Sequence, residues 1–499
     1  MRPISNHPTY LKSSLLPLLA AITLPCTGLK AAEQIVTLGD SLTFAYEAEF
    51  GFQYSVPFGP TFGDGFGSSV RNWIEILINP AYRNEHFDIG VRDTYTIAGI
   101  PFVVPEQTFL FRHEYNWAVP GQTVDQMRRF IAGTSSFLDI LAEIPEFEDL
   151  ASAIALTDFD PSQFSLIDFE KQIQDTAERL SFFIGGNDVR GIYGTVYNGD
   201  SAGTFVDEFM DDSRAVLDRV QQLNPDIQVV IVNVPHIGIT PEIKGKYPTD
   251  PIKTARVTAV LDDLNGQLAL LAESRGFAYA DVYSPTLKLL GPDPLCIHGI
   301  AFENTGTMSG DLSKVWLNGP ISANFHPNTN AHAVIANTVI EAFNRTYGTG
   351  IAPLTATEIL GGLHRKTANE IDMSFDQWMT CFGLNGLTEE SDTDHDGINA
   401  GVEFGLGLDP TLRDDHKVQA SIMDQAGGAQ AIEISYPVRL PSSTRVTVIP
   451  SSSTSLTEFT PFITTPPVDP DGLSRALLPI NPGEKGYIRL ESTLEPLPN

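Results

Sequence analysis

Residues Gln34-Ile35-Val36-Thr37-Leu38-Gly39-Asp40-Ser41-Leu42-Thr43 decide the fold. Their first five positions carry no charge and are rich in β-branched and aliphatic side chains, the pattern of a buried strand. Gly39 then lets the backbone turn tightly, and Ser41 follows at the carboxyl end of that strand. Working outward, Leu180-Ser181-Phe182-Phe183-Ile184 and Gln228-Val229-Val230-Ile231-Val232 read as further buried strands, and Phe277-Ala278-Tyr279-Ala280 as a weaker one. Helical stretches lie between them, around 122–132, 164–178, 204–224 and 252–275. In the last, Val257, Val260, Leu261, Leu264, Leu268 and Leu271 recur on a helical period, for which core packing is a sufficient explanation. Short strands alternating with amphipathic helices predict an α/β domain with a parallel sheet over residues 33–350. Open sheets of this kind bind ligands beyond the carboxyl ends of their strands, which is where Ser41 falls.

The chain has 499 residues, more than one core supports, so two or three domains are expected. Lys and Arg number 31 against 62 Asp and Glu, a net charge of −31. So acidic a surface repels phosphate backbones and argues against a nucleic-acid partner. Residues 1–32 read as a signal peptide: Arg2 and Lys12 precede an apolar stretch from Leu15 to Leu24, and the small residues Ala31 and Ala32 end it. That stretch is too short to span a bilayer, and no later run reaches spanning length. The expectation is a secreted, periplasmic or extracellular protein without an integral membrane segment. Removal of the leader takes Cys26 with it and leaves Cys296 and Cys381. In an oxidising compartment they either pair or stay as two separate buried thiols, and spacing does not choose between these.

Three further motifs stand at strand ends or helix starts, on the face where Ser41 is expected. Asn116-Trp117-Ala118-Val119-Pro120-Gly121 leads into a helix at Gln122, Gly185-Gly186-Asn187-Asp188 ends the Leu180–Ile184 strand, and His326-Pro327-Asn328-Thr329 opens a helix carrying Val334, Ile335, Val339 and Ile340. Singly, each is an ordinary turn or cap. Together, over roughly residues 34–346 and in this order, they resemble the four signature elements of the SGNH (GDSL) hydrolase family.

The resemblance implies a flavodoxin-like three-layer α/β/α sandwich and ester hydrolysis through an acyl-serine intermediate, with no cofactor in catalysis. It assigns Ser41 as nucleophile, His326 as base, and an oxyanion hole made by the Ser41 and Gly121 backbone N–H groups and the Asn187 amide. Such chemistry needs an activated nucleophile and donors aimed at the developing negative charge. Asn187 suits the last role because its amide donates without carrying charge. The family places an aspartate three residues before the histidine, where this chain has Ala323. A backbone carbonyl, a carboxylate from elsewhere such as Glu303 or Asp311, or Asn324 are the alternatives for orienting the ring.

After Ser41 the chain interleaves aromatic residues (Phe44, Tyr46, Phe50, Phe52, Tyr54, Phe58, Phe62 and Phe66) with Gly51, Gly59, Gly63, Gly65 and Gly67, a pattern that suits an apolar cleft for acyl chains, stacking faces for sugars, or a loop folded onto the core. An insertion from Thr134 to Phe164, with Phe137, Leu138, Ile140, Leu141 and Ile144 on a helical pattern, is expected to cap the site. Trp117, His332 and Asp188 read as structural, Asp188 by holding its own turn.

Residues 374–412 are expected to form a helix–loop–helix, and 413–499 a small β-rich module with strands near 432–436, 445–449 and 487–490. Asp392-Thr393-Asp394-His395-Asp396-Gly397, followed by Glu403, satisfies the twelve-residue spacing of an EF-hand-like loop. Asp392, Asp394, Asp396, the Ile398 carbonyl and Glu403 would surround a structural calcium ion. The stretch is similar to the dockerin-like calcium modules of secreted bacterial proteins. The leading functional expectation is a secreted esterase cleaving lipid or simple acyl esters, with cell-surface or matrix contacts through the C-terminal module. Carbohydrate O-acetyl esterase activity and non-catalytic binding on the same fold are the alternatives, the latter because of Ala323.

Overall fold

A computed structural model describes residues 32–46, 70–97, 107–144, 165–291, 295–297, 300–302, 314–317, 323–355, 357–363, 374–413, 415–425, 429–437, 446–456, 458–462, 473–480 and 485–494. The signal-peptide segment and most of the aromatic loop and capping insertion lie outside these residues.

Alternation along the first strand divides the protein into layers. In β1 (Glu33–Gly39), Ile35 joins one apolar cluster while Val36 and Leu38 join another. The same division runs through β5 (Arg179–Phe183), where Leu180 and Phe182 oppose Phe183, and β6 (Gln228–Val232), where Val229 and Ile231 oppose Val230 and Val232. A strand buried on both faces needs helices on both, and this requirement produces the sandwich. With β2 (Phe87–Asp88) and β7 (Ala278–Ala280) the sheet has the order β2-β1-β5-β6-β7, every pair parallel.

One face is covered by α1 (Trp73–Leu77) and α10 (Thr329–Tyr347), through Trp73, Ile74, Ala333, Val339 and Phe343. The other is covered by α2 (Val124–Ile131), α4 (Leu166–Asp175), α5 (Gly186–Asn198), α6 (Phe205–Leu223) and α8 (Pro251–Arg275). Helix α8 begins where Asp250 accepts the Ile252 and Lys253 N–H groups and ends at Gly276 with φ +67°. Shorter helices α3 (Phe137–Glu143), α7 (Pro241–Lys246) and α9 (Tyr283–Leu290) complete this part, and Phe137, Ile140 and Leu141 of α3 are buried in the second cluster. No helix among the described residues is long and apolar enough to cross a membrane.

Two antiparallel pairs were not expected: β3 (Arg92–Ile97) with β4 (Gln107–His113), and β8 (Leu295–Ile297) with β9 (Ile300–Phe302). Further on, α11 (Phe375–Cys381) and α12 (Ala400–Leu406) flank the acidic loop. The chain finishes in two three-stranded sheets. One orders β10 (Gln419–Asp424), β11 (Gln430–Pro437) and β14 (Leu473–Ile480); the other orders β13 (Thr460–Pro461), β12 (Val446–Ser453) and β15 (Tyr487–Leu494). Val402 and Leu406 of α12 share an apolar cluster with Ile434, Tyr436 and Ala476 of these sheets. Cys381 is buried, and the side chain of Cys296 lies outside the described residues.

Candidate active site

The strand order explains where a site forms. Helices change faces between the turns after β1 and β5, and the crevice at such a switch point is the usual ligand position in this topology. At Gly39 a Cβ would stand 2.6 Å from the Phe183 carbonyl oxygen and 2.9 Å from Thr43, so only glycine lets the two strand ends close up. The turn then winds over Asp40, whose carbonyl accepts the Thr43 and Phe44 N–H groups at 3.0 and 2.9 Å. The Asp40 carboxylate accepts the Leu42 N–H at 3.0 Å and the Gly186 N–H from the β5 end. Burial pushes this carboxyl up to about 7, against the lowering effect of those donors. Ser41 sits on this turn, 5% exposed.

The second loop is drawn in by Asn116. Its segment runs parallel to β1, with Trp117 N donating to Thr37 O at 2.8 Å and Val119 N to Gly39 O at 3.1 Å. The Asn116 side chain accepts from Thr37 Oγ1 at 2.8 Å and Ala118 N at 3.1 Å, and donates to Thr43 O at 2.9 Å. One fully buried amide thus joins β1, the turn that carries Ser41, and the segment that carries Gly121. Gly121 has φ +80°, where a side chain is strained.

The third loop starts α5. Asn187 Nδ2 donates to Gln122 O at 3.2 Å, directly after Gly121, and the Asp188 carboxylate accepts the Val124 N–H at 3.1 and 3.3 Å. Burial, and secondarily the Asp40 charge, push Asp188 up to about 7. Asp188 therefore ties α5 to the start of α2 rather than only holding its own turn. Asp40 to Gly186, Asn187 to Gln122 and Asp188 to Val124 bring Ser41, Gly121 and Asn187 to one end of the sheet.

His326 arrives from the other side of the fold. A 3₁₀ turn, Ala323–Phe325, precedes it; its carbonyl accepts the Leu317 N–H at 2.9 Å, and Asn328 N donates to Val315 O at 2.8 Å. Asn328 then caps α10 through the Ala331 N–H. The imidazole is 5% exposed, with the Tyr46 ring edge-on at 6.0 Å and Phe325 at 5.9 Å. Tyr46, five residues beyond Ser41, also packs edge-on against His332 at 4.8 Å and pairs its hydroxyl with His332 Nε2 at 2.8 Å. Burial, and then the neighbouring His326, push His332 down to about 3, so it stays neutral. Tyr46 links the serine segment to the histidine segment. Glu303 and Asp311 lie outside the described residues, and Asn324 is half-buried beside the histidine.

Ser41 opens onto a cleft whose flanks include Phe325 and Pro327, the two neighbours of His326 in the chain. Its walls are largely apolar, built from Leu42, Phe183, Ile237, Val282, Leu289 and others, and it encloses about 910 Å³ including its open mouth. His236 also lines it, fully buried, with Nδ1 accepting the Gly238 N–H at 3.2 Å and Nε2 meeting Thr258 Oγ1 at 3.1 Å. Burial pushes it down to about 4, so it is a neutral wall group.

At the acidic loop, carboxylate oxygens of Asp392, Asp394 and Asp396 lie within 4.8 Å of one another. Backbone N–H groups also reach them: Asp392 accepts from Asp396 and Gly397, Asp394 from Asp396, and Asp396 from Ile398 at 2.8 Å. Gly397 takes φ +93° at the sharp bend, and Glu403 is fully buried on α12.

A parallel α/β sandwich with these loops converging at its switch point is suited to ester hydrolysis, and the family match assigns the chain to that class. A family model described as GDSL-like Lipase/Acylhydrolase matches residues 35–339, and the chain belongs to that family. Similar solved structures include an extracellular lipase from Streptomyces rimosus, at TM-score 0.32 and 14% identity over 63% of this chain and 100% of the lipase. Phospholipase A1 from Streptomyces albidoflavus aligns at TM-score 0.28 and 15% identity, covering 63% of this chain and 100% of that one. A putative GDSL-like lipase from Parabacteroides merdae gives 0.29 and 16%, covering 63% and 96%. No curated protein matches.

Proposed function

We propose that the protein is a secreted serine esterase that cleaves acyl or lipid esters through an acyl-Ser41 intermediate. His326 takes the proton of Ser41 as Oγ attacks the ester carbonyl carbon. The tetrahedral oxyanion is held by the Ser41 and Gly121 backbone N–H groups and the Asn187 amide, which has a second N–H beyond the one given to Gln122. Collapse breaks the carbon–oxygen bond to the alcohol, which leaves with the proton from His326. Water, deprotonated by the same imidazole, then hydrolyses the acyl-serine and restores the hydroxyl.

The observation that carries this reading is the apolar cleft at Ser41, which suits an acyl chain better than the shallow, stacking groove of a sugar deacetylase. The test is a panel of acetylated-sugar, short-acyl and long-acyl esters on wild type and Ser41→Ala. The expected result is acyl-ester turnover that the variant lacks; equal rates in the two proteins would exclude the mechanism. The loop Asp392–Glu403 fits a hard cation, because its donor set is all oxygen and Asp394 Oδ2 is buried without a hydrogen bond among the described residues. Asp392, Asp394, Asp396, the Ile398 carbonyl and Glu403 would hold a structural calcium ion, with no part in the reaction. Residues 1–32 as a signal peptide support export, where calcium is plentiful, and the C-terminal sheets are proposed to contact a surface or matrix.

A further inference from the structure

Two helices give the cleft a direction. Helix α10 lines it with Ala331, Val334, Ile335 and Thr338, and α9 with its cap residue Val282 and with Pro285, Thr286 and Leu289. Both sets recur at i, i+3, i+4 and i+7, the spacing of a single helix face. On α10 this row is half-buried, whereas Ala333, Ala336, Val339 and Ile340 are fully buried in the cluster that covers the sheet. The hydroxyls of Thr286 and Thr338 are spent on their own helices, donating to Tyr283 O and Val334 O. Pro327, next to His326 in the chain, lines the same cleft as Ser41, so the α10 row starts near the reacting centre at Ala331 and runs away from it toward Thr338.

The row has an end. The next positions on that face are Glu341, exposed, and Ala342, fully buried, and neither lines the cleft. A carboxylate keeps its water, so an alkyl chain gains nothing by reaching it. From Ala331 to Thr338 is seven residues (338 − 331), about 10 Å of helix. An extended chain covers about 3.8 Å in three bonds, so a chain of about eight carbons matches the row. Volume gives a slightly smaller answer. The free void between the walls is about 110 Å³, and an apolar cavity of about 150 Å³ holds benzene.

We propose that the cleft measures acyl-chain length: hexanoyl to octanoyl esters fill it, the row Ala331–Thr338 sets the limit, and longer lipid chains gain nothing further. The inference rests on the esterase reading, which it deepens by naming the substrate class. Val334 and Thr338 are on this account specificity-determining residues, not catalytic ones.

The experiment measures kcat/KM on the full-length protein for p-nitrophenyl esters from acetyl to dodecanoyl, each below its aggregation concentration. The value should rise about fourfold per added methylene, the worth of burying one CH₂, and stop rising between hexanoyl and octanoyl. Val334→Phe should bring the break back to about butanoyl, and Thr338→Phe, one turn farther from Ser41, should move it less. Each profile is read relative to its own acetyl ester, so a general loss of activity does not imitate the shift. A wild-type profile that falls from acetyl onward, or keeps rising through dodecanoyl, overturns the proposal without need of a variant. So does a break that both variants leave in place. Calorimetric binding of the corresponding ethyl esters to Ser41→Ala protein repeats the length series without turnover. A break in binding with no hydrolysis of any ester would sink the esterase reading alone, whereas hydrolysis with no break would sink this one alone.

Discussion

Replacing Asn116 with alanine removes the one side chain shared by β1, the Ser41 turn and the Gly121 segment. Three buried hydrogen bonds go with it: from Thr37 Oγ1 at 2.8 Å, from Ala118 N at 3.1 Å and to Thr43 O at 2.9 Å. At about 1 kcal/mol each, with all three partners left in a water-free site, the loss is about 3 kcal/mol of stability. Activity should fall further than stability alone explains, because the turn and the oxyanion segment lose register. A displacement of about 1 Å there costs on the order of 10²-fold in kcat/KM. Asn116→Asp separates lost contact from lost volume. One carboxylate oxygen can still accept from Thr37 and Ala118, but the other then faces the Thr43 carbonyl unless it is protonated. The folded protein favours the protonated acid, so the folded-state pKa rises above the ordinary carboxyl value of about 3.9. The variant should therefore be most stable below that value and weaken as pH climbs through the raised one. Urea unfolding at pH 5 and pH 8, with ester turnover in parallel, measures both effects. Asn116→Ala within about 0.5 kcal/mol of wild type, or an Asn116→Asp variant with the wild-type pH slope, would refute the reasoning.

Asp40 and Asp188, both pushed up to about 7 by burial, give the wild type a pH slope of its own. Raised carboxyl values mean that stability is complete at low pH and drains as pH rises through about 7. Asp188→Asn, whose amide oxygen still accepts from Val124, should flatten part of the fall in urea midpoint between pH 5 and 8, and identical slopes would count against the assignment. Gly121→Ala forces a side chain into φ +80°, costing about 1–2 kcal/mol, and should lower kcat more than it changes KM; an unchanged kcat would show the loop to be unimportant to the oxyanion. Calcium should raise the melting temperature and chelation lower it, with Asp392→Ala blunting both shifts; a melt indifferent to calcium in the wild type removes the ion from the account.

Much of this was legible in the chain because it is local. Ile35 against Val36 and Phe182 against Phe183 carry their layer assignment in the order of residues, and the four loop motifs sit at strand ends or helix starts. Helix α8 announces itself through Asp250-Pro251 at one end and Gly276 at the other. The β3–β4 pair escaped because Arg92-Asp93-Thr94-Tyr95-Thr96-Ile97 is polar and irregular, with a bulge between Asp93 and Thr94, and strand β2 is only two residues long. Within the site, what stayed hidden depends on long-range partners. The Tyr46–His332 hydrogen bond joins residues 286 positions apart. The cleft wall is assembled from residues near 237, 282, 295 and 315, none of which has a motif of its own. Asn116 was visible as part of a motif, but its three bonds come from the way that segment lies against β1. The acidic loop, by contrast, carries its geometry in its spacing, and Gly397 with φ +93° is where the pattern demands a bend.

The central claim is that Ser41 carries the acyl group, and mass spectrometry of the trapped protein tests it most directly. Incubation with an alkyl fluorophosphonate should add one adduct per chain, on the peptide containing Ser41, and none to Ser41→Ala. His326→Ala should label far more slowly. No adduct on folded wild-type protein, or an adduct on any other serine with Ser41 unmodified, would contradict the account.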